Sequence, residues 1–183
     1  VITSVISNYN GSQISCAGAS DGEAFAQETF SGPPPPPFPP PPPLIYLWSD
    51  GQTTAVATGL GAGTYMVTVT NGDGCTDTAS VTISEPSPVI VSIDSFQDES
   101  CTDLGFVSIS ATGGIGSYTY NWSDGQTVED VSGLTGGTTY SVTVSDANGC
   151  TATNSVFVNI LPDLSVITSV ISNYNGSQIS CAG

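Results

Sequence analysis

Residues 1–18 read VITSVISNYNGSQISCAG, and residues 166–183 read the same, letter for letter. The offset, 166 minus 1, is 165 residues. Chance does not give an identical match of this length, so the chain reads as one repeat unit plus the opening of the next copy. That limits the fold, because repeat units must stack on copies of themselves. A weaker repeat lies inside the unit. YLWSDGQT, from Tyr46, matches YNWSDGQT, from Tyr120, and GTYMVTVTNGDGCT, from Gly63, matches TTYSVTVSDANGCT, from Thr138. Two related modules follow, at residues 1–87 and 88–163, with 164–183 opening the next repeat.

The cysteines keep the same frame. Cys16 and Cys75 belong to the first module, Cys101 and Cys150 to the second, and Cys181 copies Cys16. The expected bridges are therefore Cys16–Cys75 and Cys101–Cys150, with Cys181 pairing in the next repeat. Such bridges belong to an oxidising compartment. A zinc site is the rival reading, but the spacings are wide and neither CxxC nor His occurs.

Short runs such as TYMVTVT, ASVTIS, VIVSID and YSVTVS alternate with period two and are rich in β-branched and aromatic residues. Between them stand SDG, NGDG, GLTGG and DANG, which supply tight turns. The pattern predicts an all-β chain of tandem immunoglobulin-like β-sandwich modules, six or seven strands each. Trp48 and Trp122 occur once per module and are expected to pack its core.

Charge removes several functions. The chain has 16 Asp plus Glu and no Lys, Arg or His, for a formal charge of −16. It has nothing to neutralise phosphates, so neither nucleic acid nor an anionic membrane surface is an expected partner. Ser-His-Asp and Cys-His arrangements, Schiff-base lysines and arginine clamps are ruled out by composition. Paired carboxylates remain, but they fall in predicted turns with no sign that two converge. No enzyme is expected, and no resident cofactor. The best chemical candidate is calcium at Asn71, Asp73 and Asp77, set around one turn at i, i+2 and i+6. Asp146 and Asn148 repeat part of this set, with Ala152 in place of Asp77; the competing reading is that these residues simply form turns. Asn10, Asn121 and Asn175 begin N-x-S tripeptides and are candidate glycan sites, as is Thr78 in Asp77-Thr78-Ala79.

A cysteine, then Y-x-W-S-D-G, then G-x-Y-x-V-T-V-x-D-x-x-G-C, then a strand ending in Pro resembles the SprB-type repeats of Bacteroidota surface adhesins. Tyr118, Tyr120, Trp122, Ser123, Asp124, Gly125, Tyr140, Val142, Val144, Asp146, Gly149 and Cys150 carry it in the second module. The resemblance implies export through the type IX secretion system, an extracellular or cell-surface location, and a role in adhesion, gliding or fibres. The first module departs from the pattern by an insertion, PPPPPFPPPPP, from Pro33 through Phe38 to Pro43. Proline cannot join a central ladder. The run is expected to form a polyproline II rod of about 34 Å at ~3.1 Å per residue. It would be either a spacer along the fibre or a ligand for an aromatic groove. The expected function is a structural repeat of an extracellular filament or adhesin stalk, with copies of itself as partners. The alternative is a carbohydrate- or surface-binding adhesin module, with Tyr9 and Phe38 as candidate contacts.

Overall fold

The computed structural model describes residues 1–29 and 43–161, which form strands and turns with no helix among them. The first six strands are β1 (Ile2–Val5), β2 (Gly22–Gln27), β3 (Ile45–Trp48), β4 (Val56–Leu60), β5 (Gly63–Thr70) and β6 (Thr76–Ile83). Six more repeat the order: β7 (Ile90–Gln97), β8 (Gly105–Thr112), β9 (Thr119–Trp122), β10 (Val131–Leu134), β11 (Thr138–Ser145) and β12 (Thr151–Val158). They pair as four antiparallel three-stranded sheets, β1-β2-β4 and β3-β5-β6 in module one, β7-β8-β10 and β9-β11-β12 in module two. Each module is a sandwich of one such pair, as the alternating sequence predicts.

Alternation sets the cores. In β5, Val67 and Val69 point inward and Met66 outward; in β11, Val142 and Val144 take the same inward places. Trp48 and Trp122 are buried, 2% and 3% exposed, at the centres of their modules. Each indole N–H donates to a backbone carbonyl, Thr54 O and Val128 O, both at 2.9 Å. A buried Trp needs such a partner for its one donor. The W-S-D-G-Q stretch after each Trp is a stitched turn. Gln52 Nε2 donates to Asp50 Oδ2 and Thr58 O, and Gln126 Nε2 donates to Asp124 Oδ2 and Ser132 O. The recurring motif is thus the crossover between sheets.

A second recurring feature escaped the sequence reading. Tyr65, near the start of β5, donates its hydroxyl to Gly61 O at 3.2 Å, and Tyr140 in β11 donates to Thr135 O at 3.1 Å. Each pins the corner where the chain passes from one sheet to the other, as in immunoglobulin-type sandwiches. The signal was the G-x-Y of module one.

The disulfide expectation is corrected. Cys16 bonds Cys150, across modules, with Cα atoms 5.6 Å apart. Neither Cys16–Cys75 nor Cys101–Cys150 forms. The cause is position along a strand. Cys75 immediately precedes β6, while the Cys16 loop lies where β6 ends, with Gly18 N donating to Glu85 Oε2 and Gln13 Oε1 accepting from Ser84 N. Eight residues of strand separate the two places. That is about 25 Å at ~3.3 Å per residue, against a limit of roughly 7 Å between bridged Cα atoms. Module two repeats this. Cys150 precedes β12, and the segment leading to Cys101 lies where β12 ends, with Glu99 N donating to Asn159 O.

Candidate functional site

The richest polar constellation lies where the modules meet, on two loops. In module one it is the loop between β1 and β2, in module two the turn between β11 and β12. Asn148 reaches from the turn and donates through Nδ2 to Ser15 O at 2.9 Å and Tyr9 O at 3.2 Å. Its Oδ1 accepts from Asn10 Nδ2 at 2.7 Å. The Cys16–Cys150 bond lies beside these contacts.

Each half is braced from within its own module. Asp146 is buried, 6% exposed, the one buried polar or charged residue among those described. Its Oδ1 accepts from Asn148 N and Cys150 N, both at 2.9 Å, and its Oδ2 from Ile115 N at 2.8 Å. Three backbone donors satisfy a carboxylate that would otherwise be costly to bury. Gly114 makes room: a Cβ there would lie 2.5 Å from Asp146 Oδ2. The neighbouring Gly113, at φ +77°, packs against the linker, and a Cβ on it would lie 1.9 Å from Pro88 O. In module one, Asp21 Oδ1 accepts from Ser15 N at 3.1 Å, and the Tyr9 hydroxyl donates to Asp21 O at 3.0 Å. Partial burial pushes the Asp21 carboxyl up, but hydrogen bonds from Ser15 outweigh it and hold the group below its ordinary value.

The other candidate residues are not drawn into this site. Asn71 turns its Oδ1 back to accept from Asp73 N and Cys75 N. The Asp77 carboxylate turns back on its own strand, its Oδ1 accepting from Thr78 N at 2.8 Å. Among the described residues no three His, Cys, Asp or Glu side chains gather as a metal site would require. Asp146 and Asn148, for which the sequence offers turn or calcium readings, take part in the turn and in the junction. Asn10 is exposed but its amide is engaged by Asn148, whereas Asn121 and Thr78 are exposed on strands. Tyr9, a candidate contact for an outside ligand, is half-buried against Asp21. Cys75 is an exposed free thiol. Pro43 is exposed; Pro33, Phe38, Asn175, Cys181 and the repeated 166–183 segment lie outside the described residues.

No family model matches the chain, and no curated protein matches it. Among solved structures it is similar to the fibronectin(III)-like modules of Clostridium thermocellum CbhA, at 13% identity and TM-score 0.36, covering 91% of this chain and 100% of that one. It is also similar to the complex of Dpr11 IG1 with DIP-gamma IG+IG2, at 13% identity and TM-score 0.29, covering 87% and 99%. Likenesses this distant leave the fold to stand on the strand pairing of the chain itself. No helix among the described residues is long and apolar enough to cross a membrane.

Proposed function

We propose that the chain is a structural repeat of an extracellular filament or adhesin stalk, built by end-to-end stacking of immunoglobulin-like modules. The observation that supports this most is the junction. A covalent bond between modules, Cys16–Cys150, together with the Asn148 contacts, fixes one sandwich on the end of the next. A module designed to act alone would place its staple within its own core. The formal charge of −16 works against compaction by self-repulsion, and a stapled junction resists it. A disulfide of this kind belongs outside the reducing cytosol. The SprB-type resemblance supports a Bacteroidota cell-surface setting, with glycans on exposed sites such as Asn121 or Thr78, and no catalysis. Electron imaging of the native assembly tests the reading. Two stacked sandwiches give an axial period on the order of 70–80 Å per unit, from strands of ~20 Å plus loops and junctions. Discrete globular particles without a period would end it.

One observation favours a second reading, a surface-binding adhesin module. Ile45, Leu47 and Met66 lie exposed on the outer face of the β3-β5-β6 sheet, where module two carries Thr119, Asn121 and Ser141. An apolar patch confined to one module is a feature of contact surfaces. Its aliphatic character suits an apolar surface better than a sugar.

A further inference from the structure

The two sheets that carry the tryptophan strands, β3-β5-β6 and β9-β11-β12, each present an outer face without charge. In module one Ile45, Leu47 and Met66 stand exposed on it, at 64%, 55% and 52%. Around them the β5–β6 register sets Thr64 opposite Thr82, Thr68 opposite Thr78 and Thr70 opposite Thr76. In module two the β11–β12 register sets Ser141 opposite Ser155, Thr143 opposite Thr153 and Ser145 opposite Thr151. All of these lie on the outward side, because Val67 and Val69, or Val142 and Val144, alternate with them and point into the cores. We infer that this face docks the same face of a second copy, joining two stalks side by side. The inference rests on the stalk reading and adds a lateral contact to the end-to-end one.

Charge decides which face can serve. Each copy carries a formal charge of −16, so copies repel wherever their carboxylates confront one another. Among the described residues, β6 is the only strand of these two sheets with a carboxylate, and Asp77 stands opposite Val69, on the inward side. The other two sheets are not neutral. Glu23 alternates with the buried Ala24 and Ala26 and so faces out on β2, and Asp94 on β7 accepts from the Ser110 hydroxyl. Like-charged chains can therefore approach closely through β3-β5-β6 and β9-β11-β12. An outside apolar surface would need no neutrality in module two, whose face is hydroxyl rather than aliphatic. A partner with the same negative charge needs it in both modules.

Shape and area agree. Neither β5–β6 nor β11–β12 shifts register, in contrast to the pairings of β8 with β7 and β10, so the face is regular. Hydroxyls pair across it, Thr64 Oγ1 lying 3.0 Å from Thr82 Oγ1. Side chains this small let sheets approach to the ~10 Å of face-to-face packing. One module's face, eight residues long and three strands wide, is about 25 Å by 14 Å, or roughly 350 Å². The faces of both modules bring each copy to roughly 700 Å², near the ~800 Å² per partner of a standard interface. One module alone falls short, which accounts for the face being repeated.

The test is sedimentation of the 183-residue chain across concentration and salt, with oxidation of Met66, the chain's one methionine, as the local probe. Expected are a reversible dimer that strengthens as sodium chloride screens the repulsion, and severalfold slower peroxide oxidation of Met66 in the dimer. Leu47→Asp and Thr153→Asp, both at exposed positions, should each weaken the dimer about tenfold or more. Ser92→Asp, exposed on the opposite sheet of module two, should leave it nearly unchanged. Retention of the Cys16–Cys150 peptide shows that each variant is folded. A chain monomeric at every salt concentration, or a dimer that Ser92→Asp weakens as much as Leu47→Asp, would overturn the inference. So would a dimer in which Met66 oxidises freely. Monomers that coat alkyl-bearing beads through Leu47 would assign the face to an outside surface and overturn it too. Fibres of the expected axial period that stay one chain wide would discard the lateral contact and leave the stalk. Lateral dimers that form no fibre would discard the stalk and leave the paired face.

Discussion

The two modules share a frame of six strands but fill it differently. Module two buries Val107, Ile109 and Val131 where module one buries Ala24, Ala26 and Ala57. At about 0.8 kcal/mol per buried methylene the difference is worth several kcal/mol of apolar burial. Module one recovers part of it by folding Ile14, from the β1–β2 loop, fully into its core. The corresponding place in module two, two residues before the cysteine, holds Glu99, whose Oε2 accepts from Gly136 N at 2.7 Å. Module one thus draws its core-plugging loop from the junction, whereas module two closes its far end with a polar contact. The thinner core and the junction are therefore coupled: what orders the Cys16 loop also seats Ile14.

The sharpest way to break this comparison is to exchange the cores. Ile109→Ala should cost module two about 2–5 kcal/mol, bringing its unfolding transition toward that of module one in calorimetry. If the two transitions keep their spacing, the difference in packing is not what separates the modules. Next comes the junction. Cys150→Ser should lower stability by roughly 2–4 kcal/mol, with the greater loss in module one, because the Cys16 loop carries Ile14. Hydrogen exchange resolved by module reads this directly; equal loosening of both would contradict the coupling.

A smaller effect separates the tyrosine corners. Tyr140 both donates to Thr135 O and accepts from Thr135 N, while Tyr65 makes the single bond to Gly61 O. Tyr140→Phe should cost about 0.5–1.5 kcal/mol, and more than Tyr65→Phe, in chemical denaturation. The smallest effect is a titration. Burial, and then the Glu129 carboxylate beside it, push the Tyr120 phenol up to about 12. A raised folded pKa stabilises the protein fully below the unfolded value near ~10 and loses that contribution as pH rises through the folded value. Module two should therefore weaken between about pH 10 and 12. Tyr120→Phe should remove that part of the pH dependence.

Much of the fold was legible in the sequence. Period-two alternation in TYMVTVT and YSVTVS, turn residues between, and one Trp per module were enough for stacked sandwiches. The cysteine frame was legible as well, but the partners were not. They depend on which end of a module each turn occupies, and that is set by the W-S-D-G-Q crossover. Since β3 is antiparallel to β5 and β4 turns directly into β5, β3 and β4 run in the same direction. That crossover sends the Cys75 turn to the end opposite Cys16. The sequence left the role of Asp146 and Asn148 open, turn or calcium ligand, for a related reason. An acidic turn sequence looks the same whether its oxygens face a cation or their own backbone, and only the packing of Ile115 and Ser15 decides. The 33–43 insertion falls almost wholly outside the described residues, and only Pro43 is described, as an exposed residue.

The junction is most directly tested by a disulfide map of the unreduced chain. Trypsin has no site in a chain without Lys or Arg, so an Asp- or Glu-directed protease is needed. A peptide joining Cys16 to Cys150 is the predicted result. Peptides joining Cys16 to Cys75 and Cys101 to Cys150 would show modules stapled internally, and end-to-end locking of one sandwich on the next would be wrong.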